Sequence, residues 1–345
     1  MSASTTGSAL QLAIRTLAAG ESLQRDEARA AFELVMSGEA SPVQVAALLM
    51  GLRAKGETAG EVAGVVEAMR SAMVRLDARN PEQLVDTCGT GGGAVQTFNI
   101  STAAALLAAG AGLRVAKHGN RSFTSQCGSA DVLEALGVQI EVPVETMMRA
   151  LEDAGIVFMF APLMHPAMRH VGPVRRELAI PTVMNIVGPL ANPAMAARQV
   201  VGVADERRVA LLAGALRELG TIHALVVHGT GMDEISPLAR TQVVEIRDGE
   251  LREWSIDPAR LGYSSLDAKD LAGGPPQANA ETVLAVLGGR STRAARGAVV
   301  LNAGAALYVG GRASTLEQGV ELAEDAIATG AGLRALERLR EAYSR

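Results

Sequence analysis

From Gln83 onward the chain alternates short apolar runs with helical segments, and that alternation leaves few folds open. Runs of strand length fall at 84–88, 114–117, 156–160, 199–203 and 222–227. Helical periodicity occupies 101–111, 129–136, 145–154 and 205–219 between them. Strands separated by helices pair side by side in a mostly parallel sheet with helices on its faces. Residues 241–254 depart from this pattern. There Asp248-Gly249 stands between Val243-Val244-Glu245-Ile246 and a second run beginning at Leu251, the signature of an antiparallel hairpin. Residues 281–342 return to helix.

The first eighty residues read as helices only. Ser41-Pro42 pairs an N-cap with proline at the first helical position, and Val43, Ala46, Leu48, Leu49 and Leu52 supply the apolar face behind it. Gly56 stops that helix, and Val62, Val65, Val66 and Met69 mark the next. Segments 10–17 and 28–36 behave alike. The expected architecture is therefore α/β: a small all-helical N-terminal domain over 1–80 and a large domain over 81–345. The large domain carries a mostly parallel central sheet flanked by helices, with a hinge near 78–81. The helical unit either caps the fold or offers a spare apolar face as a dimer contact.

Composition narrows the function classes. Hydrophobic residues form 48% of the 345 and charged residues 20%, enough for a sizeable core and unlike a disordered chain. A net charge of −5 lacks the cationic field that sequence-independent nucleic-acid binding needs. Two cysteines, Cys88 and Cys127, make no disulfide framework and suit a reducing compartment. The uninterrupted small or apolar run at 103–113 is shorter than the ~20 residues of a membrane span. The start of the chain lacks the basic region of a signal peptide. A cytoplasmic protein with neither membrane nor nucleic-acid partners is expected.

In parallel sheets ligands bind beyond the carboxyl ends of the strands, which directs attention to three loops. The first is Gly89-Thr90-Gly91-Gly92-Gly93, followed by Asn99-Ile100-Ser101-Thr102 at the head of a helix. Glycines let backbone N–H groups approach an anion, and a helix N-terminus adds partial positive charge. The spacing is neither the dinucleotide fingerprint nor a P-loop. A tight turn and simple helix capping remain the plain alternatives. The second loop, from Lys117-His118-Gly119-Asn120-Arg121-Ser122 to Phe123-Thr124-Ser125, places two cations, an amide and three hydroxyls within nine residues. Such groups neutralise and orient phosphate oxygens. The third holds Asp233-Glu234 behind Gly229-Thr230-Gly231; adjacent carboxylates near phosphate suit Mg²⁺, although such a pair is often merely solvated. Arg175, on an otherwise apolar segment, is either an exposed helix arginine or a clamp for a carboxylate.

Taken in order, these residues resemble the anthranilate phosphoribosyltransferase family. The resemblance runs through Asp86-Thr87-Cys88-Gly89-Thr90-Gly91-Gly92, Asn99-Ile100-Ser101-Thr102, Val115-Ala116-Lys117-His118-Gly119-Asn120-Arg121-Ser122 and Gly128-Ser129-Ala130-Asp131. It continues in His165-Pro166-Ala167-Met168-Arg169-His170, Asn185-Ile186-Val187-Gly188-Pro189-Leu190, Asn192-Pro193 and Gly231-Met232-Asp233-Glu234. It implies a fold of the nucleoside phosphorylase/phosphoribosyltransferase type and a homodimer joined through the helical domain. It also implies transfer of phosphoribose from 5-phosphoribosyl 1-diphosphate to the amine of anthranilate, the second step of L-tryptophan biosynthesis from chorismate.

By the same resemblance, the residues holding the diphosphate substrate would be Gly89, Gly92, Gly93, Thr97, Asn99, Ile100, Ser101, Thr102, Lys117, His118, Gly119, Asn120, Arg121, Ser122, Phe123, Thr124, Ser125 and Ser129. Gly89, Asn120 and Arg175 would meet anthranilate, with Arg175 on its carboxylate and His165, Gly188 and Pro189 lining the route. Ser101, Asp233 and Glu234 would bind Mg²⁺, two ions per subunit. No general base is assigned, because an aromatic amine is weakly basic. One departure stands out: most family members carry aspartate where this chain has Gly93, which implies weaker metal coupling with activity kept. A nucleoside phosphorylase and a non-catalytic nucleic-acid-binding relative are the competing readings. The lysine-to-arginine block and Asp233-Glu234 weigh against the first, and the acidic net charge weighs against the second.

Overall fold

The computed structural model describes residues 5–122 and 126–344. The chain opens with four helices: α1 (Thr5–Ala18), α2 (Arg25–Ser37), α3 (Pro42–Lys55) and α4 (Ala59–Ser71). Ser41 and Thr58 each close a reciprocal capping box, satisfying first-turn N–H groups that would otherwise lack partners. Buried Glu61 fixes the α3–α4 corner. It accepts from the N–H groups of Leu23 and Thr58, both at 2.8 Å, and from Lys55 Nζ at 2.9 Å.

The α/β part follows as β1 (Val85–Gly89), α5 (Ile100–Gly110), β2 (Val115–Gly119), α6 (Ser129–Ala135), α7 (Val144–Ala154) and β3 (Ile156–Phe160). Next come the one-turn α8 (Ala161–Met164), α9 (Gly172–Leu178), β4 (Arg198–Gly202), α10 (Val209–Glu218) and β5 (His223–His228). The hairpin β6 (Thr241–Arg247) and β7 (Glu250–Ile256) turns at Asp248-Gly249, both at positive φ. Helices α11 (Pro276–Leu287), α12 (Arg293–Val309), α13 (Leu316–Ala328) and α14 (Ala331–Tyr343) close the chain. Among the described residues the sheet has seven strands in the order β3-β2-β1-β4-β5-β6-β7; the first five are parallel and the last two antiparallel.

Alternation along the strands builds two cores. Val200, Leu225, Val227 and Val243 face the C-terminal helices and α5. Val201, Ala224, Val226, Val244 and Ile246 face α10 and the N-terminal helices. Burial on both faces explains why these strands read as continuous apolar runs. The second core also takes in Val171, Val174, Val183, Met184, Ile186 and Val187, so the segment after α8 joins the helical layer. The expected α/β architecture is the observed one, with strand ends displaced from the expectation by a residue or so.

Candidate active site

The strand order reverses at β1, whose neighbours β2 and β4 leave it in opposite directions along the sheet. Such a switch point opens a crevice at the carboxyl ends of the strands. Here those ends are Gly89 and Gly202, which are partners across the β1–β4 ladder. Gly202 is sterically required, and Gly89 leaves room for the Asp233 carboxylate. A Cβ on Gly89 would strike Asp233 Oδ2, and one on Gly202 would strike the Asp233 carbonyl. The loop carrying Asp233 and Glu234 therefore folds directly over the two strand ends.

That loop is tied to the first loop by its carboxylates. Gly91 N–H donates to Asp233 Oδ2 at 2.7 Å, and Ser101 N–H donates to Glu234 Oε1 at 3.1 Å. Burial and the neighbouring Asp233 push the Glu234 carboxyl up from its ordinary range. Gly91 and Gly92 adopt positive φ, a conformation that suits glycine, and the space where their side chains would lie is open. Gly93 differs: a Cβ there would sit 2.8 Å from the Gly231 carbonyl, so the turn after β5 packs where a side chain would begin.

Lys117 lies inside β2 and is buried. Its Nζ donates to the Thr87 carbonyl at 2.5 Å and to Ser101 Oγ at 3.4 Å. Ser101 is thereby engaged by Lys117 on one side and Glu234 on the other. Below it, Asp86 is fully buried, accepting from Asn192 Nδ2 at 2.7 Å and His118 N–H at 3.2 Å. Burial pushes its carboxyl up to about 6 against the downward pull of Lys117.

On the side of the helical layer, the rings of His118 and His165 lie 5.0 Å apart, each with a buried Nε2 that lacks a partner among the described residues. Burial holds both imidazoles neutral, His165 at about 4 and His118 well below its ordinary value. The Pro189 carbonyl accepts from Gln199 Nε2 at 2.9 Å and faces Cys88 Sγ at 3.6 Å, which ties this turn to β1 and β4. Arg70 of α4 donates to the Leu190 carbonyl at 2.7 Å from across the helical layer. Arg175 on α9 is half-buried, its guanidinium has no hydrogen bond or ion pair among the described residues, and it is pushed below its ordinary value by desolvation.

The other residues singled out by the sequence sit differently. The Arg121 guanidinium is held by Glu134 and by Asp131 at 3.1 Å, and lies over the Phe160 ring. Asn99 is bound to Cys127 and, at 2.9 Å, to Asn279 of α11. Ile100 is wholly buried, and Thr102 Oγ1 is buried without a partner among the described residues. Thr97 bridges to Ala272. Ser129 Oγ donates to the Asn120 carbonyl at 3.3 Å beneath Gly119, while Asn120 Oδ1 accepts from Arg121 N–H and Ser122 N–H reaches Asp131 at 3.1 Å. Phe123, Thr124 and Ser125 lie outside the described residues. Two buried amides went unnoticed in the sequence, Asn279 and Asn302, and Asn192, named only as part of the resemblance, had no role assigned. The signal available for Asn302 was a lone amide inside the apolar run of 298–307.

Residues 11–73 match the helical bundle domain of a glycosyl transferase family and residues 81–333 match its a/b domain, which makes this a glycosyl transferase of helical-bundle and α/β build. The anthranilate phosphoribosyltransferase of Rubrobacter xylanophilus is 52% identical over 330 residues, covering 95% of this chain and 96% of its own. The crystal structure of the Thermus thermophilus enzyme of that name is 42% identical with a TM-score of 0.91, covering 96% of this chain and 99% of its own. The solved structure of the Saccharomyces cerevisiae enzyme, in complex with PRPP and Mg, is 26% identical with a TM-score of 0.87, covering 98% of each. The chain belongs to the anthranilate phosphoribosyltransferase family.

Proposed function

We propose that this chain transfers the 5-phosphoribosyl group of 5-phosphoribosyl 1-diphosphate to the amine of anthranilate. The products are N-(5-phosphoribosyl)anthranilate and diphosphate, and the reaction is the second step of L-tryptophan biosynthesis. The observation that carries the reading is the convergence of the glycine loop, Ser101, Lys117 and Asp233-Glu234 over the ends of β1 and β4.

The donors suit the substrates. Backbone N–H groups at Gly92 and Gly93 and the head of α5 present positive potential to a diphosphate, and Lys117 adds a full charge from beneath. Asp233, Glu234 and the Ser101 hydroxyl are hard oxygen donors of the kind Mg²⁺ takes. No group of three or more His, Cys, Asp or Glu side chains converges among the described residues. Such a sparse set fits an ion that completes its shell with water and diphosphate oxygens, and we assign two ions per subunit. When bound, Mg²⁺ neutralises charge building on the departing diphosphate.

The chain's own residues supply the rest. As the ribose C1 gains oxocarbenium character, the fixed N–H donors and Lys117 stabilise the leaving group without reorganising. Arg175, a half-buried cation with no anion of its own among the described residues, takes the anthranilate carboxylate and turns the amine toward C1. Gly89 and Asn120 flank the same molecule. His118 and His165, both neutral, border the approach beside Gly188 and Pro189 without repelling an amine. The remaining donors on the diphosphate substrate are those of Thr97, Asn99, Ile100, Thr102, Gly119, Arg121, Ser122 and Ser129.

The working unit is a homodimer in the cytoplasm, joined through the domain at 1–80 and with the α/β domain spanning 81–345. Leu12, Val43 and Met50, exposed on α1 and α3, support that face as the contact.

Following anthranilate fluorescence with phosphoribosyl diphosphate, with and without Mg²⁺, tests the reading. Mg²⁺-dependent decay is expected, and a folded protein that leaves anthranilate unconsumed refutes it. The same titration addresses Gly93. Without a carboxylate at that position, half-saturation should require more Mg²⁺ than in an aspartate-bearing relative, by about 3- to 10-fold. Equal or tighter saturation would show that Asp233 and Glu234 alone set metal affinity.

A further inference from the structure

Helix α12 is apolar along nearly its whole buried length, and the one amide in its interior is Asn302, 2% exposed. An asparagine there is unfavourable twice over, through its low helix propensity and through desolvation of its amide. It is retained with every strong bond made. Asn302 Oδ1 accepts from Ile235 N–H at 3.0 Å, and Nδ2 donates to the Ile235 carbonyl at 3.0 Å and to the Ala298 carbonyl at 2.9 Å. Toward Ile235 the side chain thus behaves as a neighbouring strand would, pairing with both the N–H and the C=O of one residue.

Ile235 directly follows Asp233-Glu234 in a loop outside the regular elements. On its N-terminal side the loop is closed by the mutual Gly229–Met232 backbone pair, and on its C-terminal side by Ser236 N–H on Thr241 Oγ1 at 2.9 Å. Between these two anchors, the backbone beside the carboxylates is fixed by Asn302. A shift there would move Asp233 off Gly91 N–H and Glu234 off Ser101 N–H, the two bonds that bring the acidic pair to the glycine loop.

We infer that Asn302 is a positioning residue for the metal and diphosphate site, acting through Ile235 to hold Asp233 and Glu234 in register. It touches neither substrate nor ion. This rests on the assignment of Asp233 and Glu234 as the Mg²⁺ carboxylates, and it predicts that the site's affinity is set partly from a helix on the far side of the loop.

Mn²⁺ binding, followed by electron paramagnetic resonance with phosphoribosyl diphosphate present and anthranilate absent, separates positioning from plain stability. In Asn302→Leu, which keeps the branched outline and removes the pairing, Mn²⁺ affinity should fall about 10- to 100-fold, as for other groups that orient metal ligands. KM for phosphoribosyl diphosphate should rise with it, while KM for anthranilate stays within about twofold. Asn302→Ala removes the same pairing without added bulk or charge and gives the same reading where the leucine variant does not fold. Leu339→Ala, a buried cavity on α14 away from the site, serves as the stability control and should leave Mn²⁺ affinity unchanged. Folded Asn302 variants that bind Mn²⁺ as wild type does, or a control that weakens it equally, overturn the inference. A wild-type protein that binds no Mn²⁺ with phosphoribosyl diphosphate overturns the underlying assignment instead.

Discussion

A variant carrying Asp233→Asn and Glu234→Gln together is expected to lose roughly 10²–10³-fold in kcat/KM for phosphoribosyl diphosphate while staying folded. The exchange removes charge and keeps shape. An amide oxygen at 233 can still accept the Gly91 N–H, and one at 234 can still accept the Ser101 N–H. Stability should therefore shift by no more than about 1 kcal/mol, the range of substitutions that leave packing intact. What disappears is the pair of anionic oxygens that Mg²⁺ requires. Steady-state rates across a Mg²⁺ series, with a thermal melt alongside, read both quantities. A folded double variant whose rate still climbs with Mg²⁺ to within about fivefold of wild type would remove these carboxylates from the metal site.

Lys117→Met carries the second large effect, and it falls on stability and activity together. Removing the ammonium leaves the Thr87 carbonyl without its 2.5 Å donor and takes from buried Asp86 the positive charge that opposes its desolvation. Losses of this kind cost roughly 2–4 kcal/mol. The deficit should depend on pH in a definite direction. Burial raises the Asp86 carboxyl to about 6 in the folded protein, above its ordinary 3.8. An acid raised on folding contributes stability below its unfolded value and loses that contribution as pH rises through the folded one. Without Lys117 the carboxyl rises further, so the gap in melting temperature between wild type and variant should widen from pH 5 to pH 8. Activity should fall about 100-fold at pH 8, since the charge beneath the glycine loop and the orientation of Ser101 are lost together. A gap that stays constant across that range would mean that Lys117 and Asp86 are not electrostatically linked.

Much of this molecule is legible in its sequence. Strand-helix alternation points to the sheet, and the Asp248-Gly249 dipeptide to its one hairpin turn, because both follow from local backbone preference and burial period. The loops with chemistry are legible too, since glycines and polar clusters directly after apolar strands have few other uses. Side-chain direction is not. Lys117 and Arg121 read as equivalent cations in one polar loop, yet the strand continues to Gly119 and carries Lys117 under the crevice. Arg121, just beyond it, turns to Asp131 and Glu134 on α6. Those partners come from the next helix, and spacing along the chain does not say which of two neighbouring cations they take. The roles of the buried amides are hidden for a related reason: Asn192, Asn279 and Asn302 each answer a backbone or side-chain group far away in sequence.

Gly89 and Gly202, the strand ends that Asp233 covers, also govern how this chain can change through descent. Gly202 tolerates no Cβ while the Asp233 backbone keeps its place, and a Cβ on Gly89 would displace the Asp233 carboxylate. Substitutions at 89 and 202 are thus tied to the course of the loop that carries Asp233. A library that varies the two glycines alone meets these contacts at each substitution, whereas one that also varies the loop around Asp233 can search for a different way of presenting a carboxylate to the crevice.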